Sequence, residues 1–94
     1  MLKVRPYSRF IQSSRTGTLK DISREQIVAA LGFDCNLPAG DKTTMEWGFS
    51  VVGEVGQCAI WDYKGSAAYG QFSCYGSSLV FSALFGDKYI PDRF

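Results

Sequence analysis

Residues 40–66 read GDKTTMEWGFSVVGEVGQCAIWDYKGS, and this stretch decides the fold. Apolar and polar side chains alternate on both sides of Gly53-Glu54, which is the period of a β-strand that buries one face. Glycine in the first position of a two-residue loop favours a type II′ turn, so the stretch predicts a β-hairpin. Such a turn fixes the register, in which Trp47 faces Ile60 and Glu46 faces Trp61.

The predicted hairpin has two unlike faces. Trp47 and Ile60 share an apolar face with Phe49 and Cys58, which we expect to be the core face. The opposite face is polar and aromatic. QFSCYG, residues 71–76, alternates in the same way and predicts a third strand.

Two short helices flank these strands in the sequence. Ser23 and Gln26 have the spacing of a capping box, and Gly32 suits a helix end, so we predict a helix over residues 24–31. Gly76-Ser77-Ser78 predicts the start of a second helix, which ends at Gly86.

The predicted fold class is therefore α+β: a three- or four-stranded antiparallel β-meander with two short helices packed on one face. A fourth strand would come from the N-terminal segment, around residues 7–12. Ninety-four residues form one domain, 1–94.

Charge is distributed unevenly along the chain. Residues 1–20 form a basic N-terminal segment with a local charge of +5, whereas the rest of the chain carries −4. This segment either seeks an anionic partner or folds onto the acidic body, and we favour the second. Arg5, Arg9 and Arg15 could contact nucleic-acid phosphates, but the isoelectric point near 7.7 is low for such a protein, and nucleic acid is not the favoured partner.

Composition argues against several classes of function. The chain has no histidine, so a Ser–His or Cys–His nucleophile cannot be built, and we predict a non-enzymatic protein with no catalytic residues. Its three cysteines lack C-x-x-C spacing, so we predict reduced thiols, no metal site and no cofactor. Asp62 falls opposite Met45, where Lys42 or Lys64 could neutralise it.

We expect a cytoplasmic protein that does not associate with membranes. No apolar run approaches the length needed to span a bilayer, and Arg5, Pro6 and Arg9 interrupt any signal-like segment at the N-terminus.

The polar-aromatic face is the candidate binding surface, because rigid aromatic rings interleaved with hydrogen-bonding groups are typical of recognition sites. A helix N-terminus could add backbone N–H groups for an anion, although an ordinary serine N-cap is the favoured interpretation of Ser77 and Ser78. The N-terminal segment or a second subunit could instead cover the aromatic side chains. The candidate ligand- or partner-binding residues are Trp61, Tyr63, Tyr75, Lys42, Lys64, Thr44, Ser77 and Ser78.

The chain combines a predicted short helix that ends in glycine with the patterns GDK-T-EW and IWDYK, followed by a predicted strand and a final helix. The residues of this pattern are Gly32, Gly40, Asp41, Lys42, Thr44, Glu46, Trp47, Ile60, Trp61, Asp62, Tyr63 and Lys64. With this pattern, about half of the chain resembles small phage-encoded accessory proteins of unassigned role, in which the second motif reads IWDYK or IYDWK.

The resemblance implies a phage protein that acts by binding in the host cytoplasm. We expect a homo-oligomeric inhibitor of host defence that sequesters an anionic, nucleotide-type ligand. Lysines and arginines would hold the phosphate and the aromatic side chains would stack on the base. The alternative is a protein–protein inhibitor or structural accessory protein that uses the same aromatic face without a small ligand.

Overall fold

The computed structural model describes residues 2–8, 14–40 and 42–92, which form one antiparallel sheet with two helices. The sheet has six strands in the order β1-β3-β4-β5-β2-β6. The strands are β1 Val4–Pro6, β2 Gly17–Leu19, β3 Glu46–Val51, β4 Cys58–Trp61, β5 Phe72–Tyr75 and β6 Tyr89–Pro91; the helices are α1 Arg24–Leu31 and α2 Ser78–Phe85, with 3₁₀ turns at Ser66–Tyr69 and Gly86–Lys88. The α+β class is confirmed, but the sheet has more strands than the three or four predicted.

The first helix has the predicted ends and the predicted cap. The Gln26 N–H donates to the Ser23 hydroxyl at 3.2 Å, and the Ser23 N–H donates to the Gln26 side chain at 2.9 Å. Gly32 closes the helix with a φ of 93°, a left-handed conformation that glycine adopts without steric cost. Ile27 and Leu31 lie on the buried side of α1.

The register of the β3–β4 hairpin is confirmed, but its predicted turn is wrong. Trp47 pairs with Ile60 and Glu46 with Trp61, as expected. The turn closes one residue earlier than predicted, where the Glu54 N–H donates to the Val51 carbonyl at 3.0 Å. The Val52 N–H donates to the Lys3 carbonyl beside β1, and residues 52–57 form the loop between β3 and β4. The alternation of the strands, rather than the loop, sets the register.

Both helices pack on the face of the sheet that carries Trp47. Trp47 is fully buried, lies edge-on to Phe72 at 5.9 Å between ring centroids, and donates its indole N–H to the Phe33 carbonyl. From α2, Phe81 reaches the same core and stacks on Tyr89 at 5.1 Å. This covered face holds most of the apolar core, because a helix and a sheet each bury one apolar side against the other.

The basic N-terminal segment supplies two strands. β1 pairs with β3 at one edge, and β2 lies between β5 and β6. The strand expected at residues 7–12 falls mostly on residues outside the described ranges. Three-residue strands such as these show too little alternation to be recognised locally, since their pairing partners lie far away in the sequence.

The loop after α1 continues the sheet edge beyond β1. The Asn36 side chain behaves like a peptide group towards Gly48: it accepts from the Gly48 N–H and donates to the Gly48 carbonyl, each at 2.8 Å. Leu37, the next residue, lies over Gly48 on the face opposite the helices. That face is therefore covered at the Gly48 end, which the sequence did not predict.

Cys35, Cys58 and Cys74 are free cysteines, and Cys58 and Cys74 are buried in the core. Burial raises the pKa of both core thiols, which disfavours the reactive thiolate. Neither α1 nor α2 is long and apolar enough to cross a bilayer, and no other span of the described ranges qualifies.

Candidate functional site

Within the described residues, the part of the second sheet face that lies away from Leu37 forms a shallow groove of about 450 Å³, which we call the open-face groove. Trp61 and Ser73 face each other across β4 and β5 and form part of its lining. The full lining is Ser14, Arg15, Trp61, Tyr63, Ser73 and Asp92. A smaller hollow of about 160 Å³ adjoins it and shares Arg15, Tyr63 and Ser73.

An ion pair lies along one side of the open-face groove. The Arg15 Nε donates to the Asp92 Oδ2 at 2.9 Å, and the Arg15 side chain is about half exposed (53%). Within the described ranges neither Nη group of Arg15 has a hydrogen-bonding partner. The carboxylate therefore orients the guanidinium and leaves the two terminal nitrogens available to an anion.

The backbone beneath this ion pair is fixed by the sheet. Thr16 donates its N–H to the Cys74 carbonyl at 2.8 Å, and its carbonyl accepts from the Asp92 N–H at 2.9 Å. The Thr16 hydroxyl also accepts from the Gly76 N–H at 3.1 Å. Arg15 and Asp92 are thus held in register, although 77 positions separate them in the sequence.

The aromatic side of the groove depends on a buried carboxylate. Asp62 is 1% exposed and accepts three hydrogen bonds, from the Thr44 N–H at 2.7 Å, the Thr44 hydroxyl at 2.6 Å and the Met45 N–H at 2.8 Å. These bonds join residues 44 and 45 to Asp62 and so hold together the open end of the hairpin, where Trp61 and Tyr63 flank Asp62 in the sequence. Burial alone would raise the pKa of Asp62, but the hydrogen bonds outweigh it and lower the pKa.

This geometry corrects the expected role of two residues. The sequence placed Asp62 where Lys42 or Lys64 could neutralise it, but among the described residues hydrogen bonds from residues 44 and 45 stabilise its charge. Thr44, a predicted binding residue, uses its hydroxyl for this carboxylate. It therefore positions the hairpin end rather than facing the groove.

The remaining predicted residues are placed as follows. Lys42 and Lys64 are exposed and adjacent, since the Lys64 N–H donates to the Lys42 carbonyl at 2.7 Å. The Lys64 ammonium lies over the Tyr63 ring, 5.4 Å from its centroid. Tyr75 pairs with Ala59 on the same face as Trp61 but does not line the groove.

Ser77 and Ser78 do not contribute to the groove. Ser77 is the N-cap of α2, where its hydroxyl accepts from the Val80 N–H at 3.5 Å, and Ser78 is the first helical residue. Because α2 packs on the covered face, both serines lie apart from Trp61 and Tyr63.

Three lining residues were absent from the predicted site: Ser14, Arg15 and Asp92. Ser73 was predicted on the polar-aromatic face from the alternation of β5, and it lines the groove. Arg15 was considered only as part of a basic arm. Asp92 carries no local signal, because it joins the site through pairing of β2 with β6.

The open-face groove combines two flat rings, one oriented guanidinium and hydroxyl groups. Such a set can hold a planar ring by stacking and an oxyanion by charge-assisted hydrogen bonds. Its volume lies within the range of about 300–1,000 Å³ that is usual for small-molecule sites. No group of three or more His, Cys, Asp or Glu side chains suited to a metal ion occurs within residues 2–8, 14–40 and 42–92.

Comparison of the chain with protein-family models, curated proteins and solved structures finds no match. The resemblance to phage accessory proteins therefore stays a prediction.

Proposed function

We propose that this chain is a non-enzymatic binding protein whose open-face groove sequesters a small anionic ligand with a flat ring, of the nucleotide type. The observation that carries the proposal is the position of Arg15: its half-exposed side chain lines the same groove as Trp61 and Tyr63, and among the described residues its two terminal nitrogens have no hydrogen-bond partner. A mononucleotide would place its base on the aromatic rings and its phosphate on the guanidinium.

The charge of the groove favours one anionic group rather than several. Arg15 is partly compensated by Asp92, and Lys64 adds a second cation nearby, since its ammonium lies over the ring of the lining residue Tyr63. A polyanion such as a nucleic-acid backbone would meet the Asp92 carboxylate as well. A role in evading host defence rests on the sequence resemblance alone.

The proposal is tested by titrating the protein with 5′-mononucleotides while following tryptophan fluorescence. Trp61 lies in the groove whereas Trp47 is fully buried, so base stacking should quench part of the emission. Affinity should fall from about 0.1 M to about 1 M salt, over which the Debye length decreases from about 10 Å to about 3 Å.

Matched arginine variants separate the site from general electrostatics. Arg15→Gln should weaken mononucleotide binding about tenfold, the effect of losing one charge-assisted interaction. Arg24→Gln is the control, because Arg24 is also exposed but lies on α1, away from the groove, and pairs with Asp34 in the following loop. Equal weakening by both variants, or no quenching by any mononucleotide, would contradict the proposal.

A protein partner, including a second copy of this chain, is the second candidate. Ile90 is 42% exposed and lies beside Thr18 on the same face as the groove. The exposed apolar surface is therefore larger than the area that a small ligand would cover. Sedimentation velocity should then show association that Ile90→Ser weakens. Leu79→Ser is the control, since Leu79 is also exposed but lies on α2. A monomer at all concentrations would rule out self-association.

A further inference from the structure

Lys64 occupies a backbone conformation that lysine disfavours. Its φ is 52°, Gly65 follows with a φ of 79°, and the Ser66 N–H donates to the Tyr63 carbonyl at 3.1 Å. Two successive left-handed residues closed by this bond form a type I′ turn, in which asparagine and glycine are preferred. Lysine here is locally unfavourable, and such positions are often functional.

The turn is held on both sides and cannot easily relax this strain. Ser66 accepts from the Tyr63 N–H at 3.0 Å and donates to the Gln71 carbonyl at 2.8 Å. The Lys64 N–H is bonded to Lys42 at 2.7 Å. From this turn the flexible Lys64 side chain places its ammonium 5.4 Å from the Tyr63 ring centroid.

We infer that Lys64 covers the Tyr63 ring while the groove is empty and transfers its ammonium to the ligand's phosphate when a ligand ring takes its place. This inference rests on the proposed function. A cation over an exposed ring is held weakly, so a stacking ring can displace it. The displaced ammonium gains an anionic partner only if the ligand also carries a phosphate.

The exchange makes Lys64 a specificity-determining residue. A nucleoside displaces the ammonium without compensating it, whereas a nucleotide supplies both the ring and the anion. The groove should therefore bind a phosphorylated ring more tightly than its unphosphorylated form, and by a larger factor than the interaction of Arg15 with the phosphate alone would give.

The test compares adenosine 5′-monophosphate with adenosine by isothermal titration on three proteins. In the unaltered protein the monophosphate should bind more than about tenfold tighter than adenosine. Lys64→Gln should weaken the monophosphate about fivefold and leave adenosine unchanged or slightly tighter, because the ring is no longer covered. Lys3→Gln, at an exposed lysine beside the edge strand β1 and away from the groove, should change neither affinity.

The other possible results separate a failure of this inference from a failure of the proposed function. Equal monophosphate affinity with and without Lys64 would overturn this inference and leave the proposed function intact. If Lys64→Gln weakened adenosine binding as much as monophosphate binding, the inference would also be overturned. Lys64 would then contact the bound adenine ring instead of moving away from Tyr63 to the phosphate. Failure of both ligands to bind the unaltered protein would overturn the inference together with the proposed function.

A second variant tests the turn without any ligand. Lys64→Asn and Lys64→Gln remove the same charge and the same contact with Tyr63, but asparagine tolerates a left-handed backbone better. The asparagine variant should melt about 4 °C higher than the glutamine variant. Equal melting temperatures would show that the turn does not impose the left-handed conformation.

Discussion

Removing the Asp62 carboxylate should loosen the hairpin end that carries Trp61 and Tyr63. Asp62→Ala leaves the N–H groups of Thr44 and Met45 without their acceptor, and each orphaned donor costs about 1–3 kcal/mol. Thr44 is exposed, so water can reach part of the vacated site. We therefore expect a loss of about 3 kcal/mol in the free energy of unfolding, or about 2 M in the urea midpoint.

The pH dependence of this loss follows from the lowered pKa of Asp62. A carboxyl group whose pKa is lower in the folded than in the unfolded protein stabilises the fold above its unfolded pKa of about 3.9, and this contribution disappears as pH falls through the folded value. Urea unfolding of Asp62→Asn should therefore approach the unaltered protein below about pH 4. Asp87→Asn, at an exposed position, is the control. A difference that stays constant from neutral to acidic pH, or an Asp62→Ala loss under about 1 kcal/mol, would refute this account of the carboxylate.

Four further substitutions test the assignment of the faces and the packing around them. Trp47→Ala should cost about 3–5 kcal/mol in urea unfolding because its side chain is fully buried, whereas Trp61→Ala should cost about half as much or less. Equal costs would place both indoles in the core. Tyr89→Phe should raise the free energy of unfolding by about 1 kcal/mol, since the Tyr89 hydroxyl is buried and has no hydrogen-bond partner within the described ranges. A destabilised phenylalanine variant would reveal a partner for that hydroxyl. Gly48→Ala should lower the melting temperature by several degrees, about 1–3 kcal/mol, because a Cβ there would collide with the Tyr7 carbonyl. A melting temperature unchanged in this variant would show that β1 can move away from β3.

The parts of the fold that the sequence predicted are those with strong local chemistry. The Ser23–Gln26 cap and Gly32 give α1 its ends. The alternation around Trp47 and Ile60 gives the hairpin register, even though the loop between the strands was assigned the wrong turn.

The strands at the chain ends could not be found in this way. β2 lies between β5 and β6 only because of pairings across most of the sequence, and its three residues have no recognisable period. Long-range pairing of this kind is a property of the whole sheet. Local propensity contains too little information to specify it.

The residues of the candidate site likewise fall into those that local sequence predicts and those that depend on long-range strand pairing. Trp61 and Tyr63 follow from the hairpin alternation, so the aromatic half of the groove was predictable. The Arg15–Asp92 ion pair was not, because β2 and β6 bring the two residues together. For Ser77 the favoured prediction, an ordinary N-cap, is confirmed, and the alternative of an anion site is placed away from the groove because α2 lies on the covered face.

Binding in the open-face groove can be observed directly through the two indole N–H groups of the chain. A ¹H–¹⁵N correlation spectrum should show one indole signal for Trp61 and one for Trp47, assigned with Trp61→Phe. Titration with adenosine 5′-monophosphate should shift the Trp61 signal and leave the Trp47 signal in place, because Trp47 is buried under the helices and donates to the Phe33 carbonyl. Two unmoved signals at saturating nucleotide, or a shift confined to Trp47, would contradict the claim that the groove is the binding site.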